Sequence, residues 1–184
     1  MQQREAKLYP VLENWLASLG YRTEIVSNKR VPGIWRNPDI AGILITSNVM
    51  GGAEVEIATI EAKLSVTRVD SSLFEAVAHK RFANRVYFAL VAKATQKIHT
   101  EFRVAAERFN VGILVVRLQD NDFEVLLRGD VSNLELSEEN ANIEEYWPAM
   151  FEAVPAKGID TFLRETLDID RHDKLYQFGI DPKE

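Results

Sequence analysis

Apolar residues near the start of the chain recur at helical spacing: Leu8, Val11, Leu12, Trp15, Leu16 and Leu19. That stripe predicts an amphipathic helix over residues 4–19, ended by Gly20. Pro10 falls inside the span and predicts either a kink or a first helical turn, where proline is tolerated. Strand-like runs follow at 21–27, 39–46 and 54–64, separated by a polar loop through Pro32 and Gly33 and by the segment 47–53. Asp70, Ser71 and Ser72 are suited to cap a helix reaching about Asn84. A short apolar strand is expected at 86–91, a helix at 95–109, a strand at 111–117 and a last edge strand at 123–127. Beyond Asn133 the pattern turns helical and acidic, punctuated by Pro148, Pro155 and Gly158. The chain shows no internal repeat and no low-complexity tract.

This order predicts an α/β fold: a mixed central sheet flanked by helices over residues 1–130. Residues 131–184 are expected to form an acidic, largely helical C-terminal extension packed on or beside that core. A length of 184 residues suits one domain with an appendage.

Composition narrows the function classes. With 46% hydrophobic and 27% charged residues the balance is that of a globular protein. Cysteine is absent, which excludes disulfides, thiolate catalysis and cysteine-ligated metal sites. No apolar run approaches the ~20 residues that span a bilayer. The polar first residues hold no signal-peptide core, so no membrane role and a cytoplasmic location are expected. The net charge of −6 conceals an asymmetry: residues 1–117 carry +5 and residues 118–184 carry −11. A basic body is compatible with a polyanionic partner that the overall charge argues against. The acidic region is expected to shield that body or to dock a homodimer mate or partner subunit. A phosphate-binding glycine loop ending in Lys-Ser/Thr, a Gly-x-Ser-x-Gly elbow and a dinucleotide fingerprint are all missing.

The chemistry concentrates in residues 54–64. Period-two alternation puts Val55, Ile57, Thr59, Glu61 and Lys63 on one face, so an apolar face ends in a carboxylate and an ammonium. Charges on a buried face must pair with each other, a metal or a ligand. If 39–46 and 54–64 form an antiparallel hairpin, residue 45 faces residue 55 and Asp39 faces Glu61. Opposed side chains share a face with Cβ atoms about 5 Å apart, and two carboxylates there repel unless a cation lies between them. Oxygen ligands of this kind suit Mg²⁺ or Mn²⁺.

Pro38-Asp39 followed by Glu61-Ala62-Lys63 resembles the signature of the PD-(D/E)xK superfamily of restriction-endonuclease-like phosphodiesterases, over roughly residues 4–117. The helix before, the intervening hairpin, and the helix and apolar strand after follow the same order. The resemblance implies a restriction-endonuclease-like core in which Asp39 and Glu61 hold Mg²⁺ (Mn²⁺ as substitute). It implies that Lys63 orients or activates the attacking water and that the Ala62 carbonyl is a further metal ligand. It also makes Glu5 a candidate ligand, since Glu5 shares the buried stripe of Leu8 and Leu12; Glu13 is the competing acid. His79 is a candidate catalytic residue facing the substrate, with Glu75 as an alternative i,i+4 partner for it and Lys80 and Arg81 as phosphate contacts. Lys29, Arg30 and Arg36 are candidate backbone-phosphate contacts. His99 and His172 have no zinc-like spacing, and the aromatic residues are assigned to packing.

The sequence therefore reads as a metal-dependent endonuclease, with DNA favoured over RNA as substrate. The alternative is a restriction-endonuclease-like subunit that no longer cuts and serves binding or assembly.

Overall fold

The first apolar stripe folds in three consecutive pieces that together make one helical segment. They are α1 (Gln2–Glu5), a 3₁₀ turn (Ala6–Leu8) and α2 (Tyr9–Ser18). Pro10 lies in the first turn of α2, where its missing N–H costs no hydrogen bond. The computed structural model describes residues 2–29, 37–47, 53–64 and 71–169. Arg30, Arg36, Asp70 and His172 lie outside these residues.

Strands β1 (Arg22–Ile25), β2 (Ile40–Ser47) and β3 (Ala53–Lys63) follow, then α3 (Ser71–Ala78) and a 3₁₀ turn (His79–Arg81). The chain continues with β4 (Arg85–Lys93), α4 (Thr100–Phe109), β5 (Gly112–Leu118), α5 (Asp120–Arg128), β6 (Ala141–Trp147) and α6 (Ala156–Thr166). One six-stranded sheet runs in the order β1-β2-β3-β4-β5-β6. Pairing is antiparallel for β1–β2, β2–β3 and β5–β6, and parallel for β3–β4 and β4–β5. The protein is thus an α/β fold with a mixed sheet flanked by helices.

Two apolar layers cover the sheet. On one face Leu8, Leu12 and Leu16 of the N-terminal segment and Phe123 and Leu126 of α5 pack on Ile40, Ile60 and Leu114. On the other, Leu73 of α3, Phe102 of α4 and Phe162 of α6 pack on Ile57, Phe88 and Val115. Phe162 stacks on Phe82 with ring centroids 4.1 Å apart. The central strand β4 is buried along seven consecutive residues, as expected of a parallel strand covered on both sides.

Two expectations fail here, each for a physical reason. Residues 123–127 are not an edge strand but part of α5. Phe123 and Leu126 are buried at i,i+3, Asp120 and Asp122 stand in the first turn, and Gly129 ends the helix with φ +89°. Residues 141–147, expected within a helical extension, are the strand β6, paired along β5. A register shift opposite Ile113 and Leu114 puts Trp147 beside Tyr146 on the second layer, while Ile143 packs on the first. That bulge breaks the alternation and spaces Ile143, Tyr146 and Trp147 as i, i+3 and i+4, which mimics a helix. Among the described residues no helix is long and apolar enough to cross a membrane.

Candidate functional site

The β2–β3 hairpin sets the site. Ile45 faces Val55 and Ile40 faces Ile60, the register expected from the sequence. One residue before β2, the Asp39 N–H donates to the Ile60 carbonyl (3.1 Å), and the Asp39 carbonyl accepts the Val26 N–H (3.0 Å). Asp39 is therefore fixed between the ends of β1 and β3, opposite Glu61.

Its carboxylate is held at both oxygens. Oδ1 accepts the Tyr9 hydroxyl at 2.6 Å, and Oδ2 accepts the Ala62 backbone N–H at 2.8 Å. Burial raises the Asp39 carboxyl above its usual value, partly offset by these two bonds and by the Lys63 charge. Tyr9 was not foreseen as a site residue. It lies one turn after Glu5 on the same stripe, which was its only sequence signal.

Glu61 is buried, with 5% of its surface exposed. Burial, reinforced by the nearby Asp39 charge, raises its carboxyl above the usual value, against the opposing pull of Lys63, which keeps the ion pair together. The Lys63 ammonium stands 2.5 Å from Glu61 Oε1 and 3.0 Å from Glu75 Oε2. Burial works against that charge, but Glu61 and Glu75 outweigh it and hold the ammonium above the ordinary lysine value. Glu75, on α3, thus turns toward Lys63 of β3.

Glu5 is buried, and burial raises its carboxyl, opposed by Lys63 and reinforced by Asp39. It therefore shares the electrostatic neighbourhood of the two strand residues. His79 is 2% exposed, and its Nε2 is 3.9 Å from Glu61 Oε2. Burial and the Arg81 charge lower its imidazole to about 3, so it is neutral at pH 7, and Nδ1 has no hydrogen-bond partner. This places His79 behind Glu61 rather than at an open surface. Lys80 is engaged elsewhere: it pairs with Glu152 and donates to the Phe109 carbonyl (2.7 Å). Arg81 donates to the Ala78 carbonyl (3.1 Å), and Lys29 pairs with Glu24 at 2.6 Å.

Asp39, Glu61, Lys63 and Glu5 are thus gathered at one end of the β2–β3 hairpin, from the sheet and the N-terminal helical segment. Among the described residues no three His, Asp or Glu side chains form a ready metal cage. The Lys63 ammonium instead bridges Glu61 and Glu75. The donor set still suits Mg²⁺, which is commonly held by one or two carboxylates, with waters and phosphate oxygens completing its shell. Compared with protein-family models, curated proteins and solved structures, the chain finds no match.

Proposed function

We propose that the protein is a metal-dependent endonuclease with a restriction-endonuclease-like core, acting on DNA in preference to RNA. The observation that carries this reading is the hairpin register, which sets Asp39 opposite Glu61 with Lys63 two residues further along the same face. In this role Asp39 and Glu61 hold Mg²⁺ or Mn²⁺, with Glu5 and the Ala62 carbonyl as further ligands. A divalent cation offsets charge on a phosphodiester and lowers the pKa of bound water. Lys63 holds and orients the attacking water. Tyr9 and the Ala62 N–H keep the Asp39 carboxylate in one rotamer. His79 packs against Glu61 and limits where that carboxylate turns.

A duplex DNA incubated with the protein and Mg²⁺ or Mn²⁺ should be cut, and chelation should stop cutting. Asp39→Asn, Glu61→Gln and Lys63→Ala should each abolish cleavage while melting cooperatively. Cleavage at the wild-type rate by any of the three removes that residue from the reading.

One observation favours the second reading, a subunit that binds or assembles without cutting. Both oxygens of the Asp39 carboxylate and the Lys63 ammonium have protein partners. Thermal melts separate the two. Stabilisation by a ligand follows RT ln(1 + [L]/Kd), about 2.7 kcal/mol at a hundredfold excess over Kd. A melt that millimolar Mn²⁺ leaves unmoved supports the non-cutting subunit.

A further inference from the structure

We propose that Glu75 is a positioning residue for Lys63: it keeps the ammonium at the site when Glu61 turns to a divalent cation. The inference rests on the metal-dependent reading of the site and deepens it. Its basis is the double contact of one ammonium, 2.5 Å from Glu61 Oε1 and 3.0 Å from Glu75 Oε2.

The two carboxylates differ in what surrounds them. The Glu61 side chain is 7% exposed and lies opposite Asp39, whereas that of Glu75 is 38% exposed and stands on α3. In the arrangement described, Lys63 supplies the positive charge that Glu61 and Asp39 require when buried. A cation on Glu61 and an ammonium on the same carboxylate repel, so the two compete for it. Without Glu75, Lys63 has Glu61 as its one anionic partner of these two and holds it against the cation. With Glu75, the ammonium gives up Glu61, keeps a carboxylate and stays where a water-orienting lysine has to be. Glu75 also hydrogen-bonds the Glu61 side chain, so its effect through Lys63 is the part that disappears when Lys63 is replaced.

The test is Mn²⁺ affinity of the full chain, read as free Mn²⁺ by electron paramagnetic resonance. It compares wild type, Glu75→Gln, Lys63→Met, the double variant and Glu61→Gln. Glu75→Gln should weaken binding about tenfold, the lower end for removing a residue that orients a metal ligand set. Glu75→Asp should restore part of that loss. Lys63→Met should tighten binding, and in that background Glu75→Gln should cost at least threefold less than in wild type. Lys63→Gln serves as the background if Lys63→Met fails to fold. Equal losses in both backgrounds overturn the proposal, since Glu75 then acts independently of Lys63. No effect of Glu75→Gln in wild type also overturns it. Mn²⁺ binding that Glu61→Gln leaves unchanged, or no binding by wild type, is a different result and overturns the metal reading together with this one.

Discussion

Asn84 links three segments just outside the site, and replacing it tests how β3 is held. In the last position before β4 its side-chain Oδ1 accepts the Ile57 N–H at 2.9 Å and its Nδ2 donates to the Glu152 carbonyl at 3.1 Å. Its backbone N–H donates to the Ile57 carbonyl (2.7 Å), and its carbonyl accepts the Glu152 N–H (2.9 Å). Asn84→Ala leaves the last two bonds in place and orphans the Ile57 N–H within a fully buried stretch of β3. An unpaired buried donor costs about 1–3 kcal/mol, and the lost bond to the more open Glu152 carbonyl adds ~1 kcal/mol or less. The expected destabilisation is about 1–4 kcal/mol in urea titrations, with faster hydrogen exchange at the Ile57 amide. Asn84→Asp sharpens the test. Its Oδ1 still accepts from Ile57, but its second oxygen faces the Glu152 carbonyl, acceptor against acceptor, at a position 5% exposed. Protonating that aspartate supplies a donor, so its folded pKa is raised and the variant loses stability as pH rises from the usual carboxylate range. Asn84→Ala should show no such slope relative to wild type. A loss under ~0.5 kcal/mol for Asn84→Ala with unchanged Ile57 exchange would refute the reasoning, because exposed polar substitutions cost that little.

Three further outcomes follow from single contacts. A Cβ at Gly158 would stand 2.3 Å from the Arg81 carbonyl oxygen, so Gly158→Ala should push α6 off the 3₁₀ turn. The expected cost is about 1–3 kcal/mol, read as a lower Tm, despite alanine's better helix propensity. Tyr9→Phe removes the 2.6 Å bond to Asp39 and should cost about 1.5–3 kcal/mol, as for a hydrogen bond to a charged group. It should also weaken Mn²⁺ binding; unchanged affinity would show that the Ala62 N–H alone orients Asp39. Hydrogen bonding to Lys80 lowers the Glu152 carboxyl below its usual value. The pair's contribution is therefore present above the ordinary glutamate pKa and fades as pH falls through the lowered one. Because Glu152 is half exposed, Glu152→Gln should cost under ~1 kcal/mol at pH 7 in urea titrations, and nothing at pH 2.

The hairpin register was legible because the ends of the two strand-like runs, at 46 and 54, fix which residues can face each other across the connecting segment, and Ile45 does face Val55. A one-residue slip would send every side chain to the opposite layer of the sheet. The N-terminal stripe was legible too, since Leu8, Leu12 and Leu16 all reach full burial. What misled lay where a short segment satisfies two periods. Phe123 to Leu127 is apolar enough for an edge strand, and only the flanking Asp120, Asp122 and Gly129 mark it as a helix. At β6 the edge of β5 supplies backbone partners that no local pattern announces, and the bulge near Trp147 gives its apolar residues helical spacing. The acidic residues there are not all a free negative face: Glu144 of β6 is 2.8 Å from Arg117 of β5.

For the candidate site, the strand residues were readable and their partners were not. Glu61 and Lys63 stand out because they break an apolar face, and Asp39 follows from the register. Tyr9 and Glu75 sit on helices, where a polar residue every turn is ordinary, and only packing brings them to the strand ends. The place where they meet has a topological reason. Strand β3 is antiparallel to β2 and parallel to β4, so it is one of the two strands, with β5, at which the sheet changes sense. Glu61 and Lys63 lie at its carboxyl end. The N-terminal segment covers one face there through Tyr9, and α3 covers the other through Glu75. Charged side chains at that end can be reached from both layers without interrupting either apolar core. The same residues placed mid-strand would have no helix end beside them and would need to be buried among Ile57, Phe88 and Val115.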